Sequence, residues 1–271
     1  MNIGPLSLPI GPIIFFLSIA VAVFAGWAAD KGNRDTESVI FTGVVIGLVV
    51  ARVSFVLQYF PSYDGSVLKM LDFRDSGFDT LAGVIAGLIA IGFVLLRRKA
   101  IRRPLLLATI VGFATWAGAG AAVALMVSPS AVPEKVLTNA DGASQPLAPR
   151  DGKPLVVNLW ATWCAPCQAE MPILATAQKQ YQGLDLVFVN QAEQRDVIDS
   201  FMRKLDLHLS NSLFDPELTV AKATGTTAFP TTLFYDASGR LLERHLGRFS
   251  EATFQATLAH LYPDLAAVRS Q

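Results

Sequence analysis

Charge is scarce in this chain and absent from its first stretch. Asp, Glu, Lys and Arg make up 16% of the 271 residues, against about 25% in ordinary soluble domains, and residues 1–29 contain none. With 52% hydrophobic residues, a disordered chain is excluded. Basic and acidic residues stand at 22 each, so no basic excess points to nucleic acid, and none is expected as a partner. Histidine is confined to His208, His245 and His260. Their spacing forms no paired-ligand motif with the cysteines, and no metal is expected. Cysteine occurs only as Cys164 and Cys167, so the first 163 residues can take no part in thiol chemistry.

What the first half has instead is long apolar runs. Four stretches, about 10–29, 38–60, 77–96 and 104–127, carry the ~20 apolar residues that let a helix cross a bilayer, and they lack the polar face of a soluble helix. The first is read as a spanning helix rather than a cleaved signal, because a signal needs basic residues ahead of its apolar core and the first here is Lys31. Arg52 interrupts the second run about midway, a costly position that calls for a partner, a cavity or a headgroup. Asp79 is the expected partner, and a membrane site at Arg52 is the alternative. Gly43-Val-Val-Ile-Gly47 and Gly83-Val-Ile-Ala-Gly87 are spacings that allow close helix approach.

Up to Val127 the chain has ten basic and seven acidic residues, and beyond it twelve and fifteen. The first loop holds Lys31 and Arg34, the second Lys69 and Arg74, and the third Arg97, Arg98, Lys99, Arg102 and Arg103. The excess of positive charge places the first and third loops in the cytoplasm. The N-terminus, the second loop and everything after Val127 then lie outside, which predicts a multi-pass protein of the bacterial inner membrane with its C-terminal part in the periplasm. The lipid bilayer is therefore an expected partner.

Residues 128–133 contain two prolines and read as a linker. The following 134–265 have the pattern of one α/β domain: a hairpin around Asp141-Gly142, a buried strand LVVNLWA, a helix from about Ala165, a second buried strand LDLVFVN, a helix RDVIDSFMRKLD, a hairpin turning at Ser238-Gly239, and a closing helix capped by Ser250 with Glu251 in its first turn. Strands alternating with helices predict a sheet covered on both faces. The overall fold class is thus a four-helix transmembrane bundle followed by an α/β domain.

Both cysteines fall in Cys164-Ala-Pro-Cys167, where the first buried strand ends and a helix begins. Attack on a disulfide needs a thiolate, and a free thiol with pKa near ~8.5 is mostly protonated at neutral pH. The unpaired N–H groups and dipole of a helix N-terminus favour the anion, most of all at the first cysteine. Cys164 is therefore the expected nucleophile and Cys167 the resolving thiol. A haem attachment motif is excluded by Gln168, which stands where a histidine is needed. A purely structural bridge is the weaker alternative, because so small a loop restrains the unfolded chain little.

VVNLWATWCAPCQAEMP together with FPTTLFYDASG resembles the membrane-anchored thioredoxin-like proteins of the TlpA/ResA/CcmG type, over about 131–261. The resemblance implies a thioredoxin-like fold, a proline at Pro172 inside the helix, and a cis-proline loop at Phe229-Pro230 that binds an extended substrate segment beside Cys164. It implies that Trp163 borders the thiol site while Trp160 belongs to the core. It also implies an acidic residue near the thiols, here Glu170, moving protons or tuning thiol pKa values; a solvated carboxylate in the first helical turn is the alternative. Asn158 stands where thioredoxin has a buried Asp, which leaves Glu170 or water as proton acceptor. By the same resemblance the activity is that of a thiol–disulfide oxidoreductase. It reduces disulfides in periplasmic clients such as apocytochrome c or copper-site proteins, receives electrons from a transmembrane donor of the DsbD or CcdA kind, and needs no cofactor beyond its redox-active cysteine pair.

The first hundred residues resemble, more diffusely, the N-terminal helices of prolipoprotein diacylglyceryl transferase, in GPLSLPIGPIIFFLSI, ARVSFVLQYFPSY and SGFDTLAGVIAG. The chain departs from that family in having no histidine before His208 and only four apolar runs. The second functional expectation is accordingly a lipid-binding or lipid-handling membrane protein, with Arg52 at its site and the C-terminal domain serving redox sensing or docking.

Overall fold

The computed structural model describes residues 10–30, 35–126 and 130–268. Lys31, Arg34 and the first two residues of the expected linker lie outside them. The described residues divide into two compact units, one within 10–126 and the other within 130–268.

The first unit holds four helices long and apolar enough to cross a membrane: α1 (Ile10–Ala29), α2 (Asp35–Gln58), α4 (Thr80–Arg97) and α5 (Arg102–Met126). Large apolar side chains such as Phe16, Phe24, Phe41, Leu57, Leu81 and Ile89 point outward, as a hydrocarbon solvent rather than water would favour. α2 packs on α4 through the two glycine pairs. A Cβ at Gly47 would lie 2.9 Å from the Gly83 carbonyl oxygen, and one at Gly87 would lie 3.2 Å from the oxygen of Gly43. α1 and α5 approach in the same way, a Cβ at Gly112 falling 2.7 Å from that of Ala22. Ile40, Ile101, Leu105 and Ala108 form the buried centre of this unit.

The segment between α2 and α4 contains a single turn at Phe60–Tyr63, the short α3 (Val67–Leu71) and another turn at Phe73–Asp75. It folds back over Arg52. The five N–H groups of the guanidinium meet Met70 O (3.0 Å), Asp75 Oδ1 (3.1 Å), Gly77 O (2.7 Å), Asp72 O (2.7 Å) and Lys69 O (3.5 Å), and the rings of Tyr63 and Phe78 lie 5.9 and 5.8 Å away. The expected pairing with Asp79 is therefore corrected to Asp75. Asp79 is engaged elsewhere, capping α4 through Ala82 N–H and accepting from Ser54 and Gln58. Nor is Arg52 midway along its helix: it lies about 26 Å from Asp35 at 1.5 Å per residue, near the end where this loop can reach it.

The second unit is a seven-stranded sheet in the order β2-β1-β5-β4-β3-β6-β7. Its strands are β1 (Val136–Asn139), β2 (Ser144–Pro146), β3 (Leu155–Trp160), β4 (Asp185–Gln191), β5 (Ser212–Asp215), β6 (Thr231–Tyr235) and β7 (Leu241–Leu246). β3, β4 and β5 run parallel, and the outer strands pair antiparallel. Every residue of β3, β4 and β6 is buried, which explains their largely apolar composition. Val156, Trp160, Leu186, Phe188 and Phe234 face a core completed by α6 (Ala165–Gln180), α7 (Arg195–Lys204), α9 (Glu251–Leu261) and α10 (Pro263–Val268). Leu155, Val157, Leu159, Val187, Val189 and Leu233 face the other way, against Leu137, Leu147 and Val220 of the two-turn α8 (Thr219–Thr224).

Ser250 caps α9 in a reciprocal box with Thr253, as its position before Glu251 suggested. The chain does not end its helices there, since Pro263 opens α10 where a proline is tolerated. β5 and α8 were not anticipated, being only four and six residues long. They are joined by Asp215, whose buried carboxylate accepts from Thr219 N, Val220 N and Gln191 Nε2.

The glycine contacts give a direct test of the bundle. Gly47→Ala forces a methyl against a backbone oxygen and should destabilise the detergent-solubilised chain by about 1–3 kcal/mol. Gly92→Ala, whose Cβ meets nothing within 4 Å, should leave the thermal midpoint unchanged.

Candidate active site at the Cys164–Cys167 pair

β3 ends at Trp160, and three residues later the chain enters α6 with Cys164 as its N-cap. Cys164 and Cys167 are joined as a disulfide. The Cys167 N–H donates to Cys164 Sγ at 3.2 Å. Pro166 has no N–H, so Cys167 supplies a first-turn amide able to meet a charge on that sulfur. Cys164 is 5% exposed and Cys167 0%, so an incoming sulfur can reach only the first.

Trp163 is 67% exposed, and its ring centroid lies 6.1 Å from that of Phe229. The Phe229-Pro230 bond is cis and directly precedes β6, whose Thr231 is opposite Leu159 of β3. The structure thus brings Trp163, Phe229 and Pro230 to the end of β3 that carries the cysteines. Trp160 is buried and packs on Phe201 at 5.7 Å.

Glu170 lies one turn beyond Cys167 on the buried face of α6. It is 0% exposed, so the alternative of a solvated carboxylate is overturned: the helix turns this side chain over the sheet rather than into water. Oε1 accepts from Asn158 Nδ2 at 2.8 Å and Oε2 from Phe249 N–H at 2.9 Å. Asn158 Nδ2 also donates to Thr232 Oγ1 at 3.0 Å. Burial outweighs these bonds and the charge of Arg248, and pushes the Glu170 carboxyl up to about 7. A carboxyl that gains and loses its proton near neutrality is chemically suited to proton exchange.

Two residues of this region escaped the sequence reading. His245 is opposite Thr232 in the β6–β7 ladder and stacks on Phe249 at 3.9 Å; burial lowers its pKa to about 4. Only the strand register, which alternation alone does not give, places it in the row Asn158–Thr232–His245. Glu193, in the loop after β4, accepts from Thr162 N at 2.7 Å, from Thr162 Oγ1, and from Asn190 Nδ2 at 2.7 Å. It is 31 residues from Thr162 in sequence, and no local signal marks it. Among the described residues, no group of three or more His, Cys, Asp or Glu is placed to hold a metal.

Residues 128–260 match the family described as Redoxin. They form a Redoxin domain. The Redoxin domain includes a stretch 35% identical over 120 residues to the thiol:disulfide interchange protein DsbE of Vibrio cholerae serotype O1, an alignment covering 44% of this chain and 64% of that protein. The thiol-disulfide oxidoreductase ResA of Bacillus subtilis is 29% identical over 160 residues, 58% of this chain and 89% of its own. A crystal structure of a thioredoxin-family thiol:disulfide interchange protein from Chlorobium tepidum aligns over 54% of this chain and 99% of its own, at 26% identity and a TM-score of 0.42. The other unit, residues 1–122, matches the family described as Prolipoprotein diacylglyceryl transferase. The Redoxin domain is thus similar in sequence to thiol-disulfide oxidoreductases named DsbE and ResA.

Glu170 and His245, both buried, have opposite effects on stability. Folded Glu170 keeps its proton up to about pH 7 against an ordinary value of 4.5. The folded state therefore binds more protons across that window, and stability falls as pH rises through it, on the order of 3 kcal/mol in all. Folded His245 refuses a proton until about pH 4 against an ordinary 6.5, so its contribution is lost as pH falls through that window. In urea unfolding of the oxidised chain, the advantage of Glu170→Gln over wild type should grow by about 3 kcal/mol from acid to neutral pH. The advantage of His245→Gln should grow in the opposite direction. A pH-independent difference in either series contradicts the assignment.

Proposed function

We propose that this chain is a membrane-anchored, periplasm-facing reductant of protein disulfides. The observation that carries this reading is the Cys164–Cys167 disulfide at the N-terminus of α6, with a buried, near-neutral Glu170 one turn beyond it. In the reduced protein the Cys164 thiolate attacks one sulfur of a client disulfide, forming a mixed disulfide and releasing the client's other sulfur as thiolate. Glu170 then takes the Cys167 proton, and the Cys167 thiolate attacks Cys164 Sγ. This closes the Cys164–Cys167 disulfide, frees the second client sulfur, and leaves the client reduced by two electrons. The proton on Glu170 passes to a departing thiolate.

Trp163, Phe229 and Pro230 form the surface on which an extended client segment lies, with the backbone of the cis-proline loop open to strand-like pairing. Four apolar helices and the cluster Arg97, Arg98, Lys99, Arg102 and Arg103 support an inner-membrane anchor with that loop in the cytoplasm. The helical unit has no cysteine, so electrons arrive from a separate dithiol donor of the DsbD or CcdA kind. Clients in cytochrome c or copper-site maturation suit the DsbE/ResA type, and the cysteine pair serves without another cofactor.

The match to the diacylglyceryl transferase family favours a second reading, in which the helical unit handles lipid. The full set of chain acceptors around Arg52 speaks for a structural role there instead.

In insulin-disulfide reduction with dithiothreitol as electron source, Cys164→Ser should reduce the rate to background, while Cys167→Ser should accumulate mixed disulfides. Equal activity of both variants and wild type sinks the mechanism. Lipid transfer that survives Cys164→Ser but is lost in Arg52→Ala promotes the second reading.

A further inference from the structure

The three residues between β3 and Cys164 belong to no helix or strand, yet they set where the nucleophile sits. Ala161, Thr162 and Trp163 must deliver Cys164 to the first turn of α6, close enough for the Cys167 N–H to reach its sulfur. The turn is tied at several points. Cys164 N–H donates to Ala161 O at 3.2 Å. Gln168 Nε2 donates to Thr162 O at 2.6 Å. Thr162 N–H and Oγ1 both donate to the carboxylate of Glu193.

That carboxylate is itself held from behind by Asn190 Nδ2, and Asn190 ends up beside the turn because it is opposite Trp160 in the parallel β3–β4 ladder. Ala192, just before Glu193, has φ 61, a left-handed conformation costly for a non-glycine residue, and its N–H donates to Asp215 O at 3.0 Å. The loop after β4 is thus bent and anchored so as to present Glu193 to Thr162. Charge-assisted hydrogen bonds of this kind are among the strong ones.

We propose that Glu193 is a positioning residue for the Cys164 thiolate. It acts through Thr162, holding the turn so that Cys164 stays at the N-terminus of α6 once the disulfide is reduced and the covalent link to Cys167 is gone. The inference rests on the redox role of the pair proposed above. Its electrostatic signature is opposite to that of a bystander. A nearby negative charge by itself disfavours a thiolate, so removing one lowers the thiol pKa. Removing a clamp that keeps the sulfur against helix N–H groups raises it toward the free-thiol value of ~8.5.

The test uses the detergent-solubilised full chain carrying Cys167→Ala, so that Cys164 alone is alkylated, and follows the rate with iodoacetamide as a function of pH. Glu170 on α6, bonded to Asn158 and Phe249 and close to the charge of Arg248, is left unaltered throughout. Glu193→Ala should move the apparent pKa of Cys164 upward and slow alkylation at neutral pH several-fold. Glu193→Gln keeps a carbonyl acceptor for Thr162 N–H and should restore most of that rate. Thr162→Val removes the hydroxyl bond without changing any charge, and should shift the pKa upward by less.

A lowered pKa in Glu193→Ala, or no shift in Thr162→Val, overturns the proposal, and Thr162→Val leaves the Thr162 N–H bond to Glu193 in place, so it stays readable if Glu193→Ala fails to fold. Because alkylation requires neither client nor electron donor, an unreactive insulin assay leaves this result standing and counts only against the proposed function.

Discussion

Parallel hydrogen bonding between β3 and β4 is the constraint on which the candidate site depends. It aligns Trp160 with Asn190, so the turn that leads to Cys164 and the loop that carries Glu193 leave the sheet at the same edge, side by side. Adding β6 on the other flank of β3 brings Thr231 beside Leu159 and, with it, the Phe229-Pro230 loop. Three segments far apart in sequence converge because the C-terminal ends of the parallel strands β3 and β4 open in one direction and the antiparallel β6 begins at that same end.

The second consequence of this arrangement is polar. Asn158 faces α6 from the middle of a strand that is otherwise entirely apolar, and it would be costly there without a partner. Glu170 supplies the acceptor and receives a second donor from Phe249. The carboxylate and the amide therefore make each other's burial tolerable, and the carboxyl stays near neutrality because the bonds do not fully replace water.

Much of the architecture was legible before any coordinates. Uncharged runs of about 20 residues, unbroken apolar strands, turn glycines and a Ser250 cap each carry a local physical signal, and the cysteine pair stands out as the chain's whole thiol content. What was not legible depends on register or on distant contacts. Glu170 was expected near the thiols from the resemblance, but its burial and its bond to Asn158 emerge only once α6 is laid over the sheet. Glu193 and His245 acquire meaning only from the strands beside them. The partner of Arg52 was misassigned because Asp79 looked nearest by helix edge, whereas α4 needed it as a cap and the folded-back loop offered Asp75.

The glycine seam between α2 and α4 has a consequence for how the helical unit can vary. Its contacts are carbonyl oxygens against bare Cα positions, with few side-chain torsions to immobilise when the helices meet. Association there forfeits little conformational entropy, and the seam places no demand on the residues pointing away from it. The outward faces, already occupied by Phe, Leu and Ile of many shapes, are free to drift in sequence while the pairing itself stays the same.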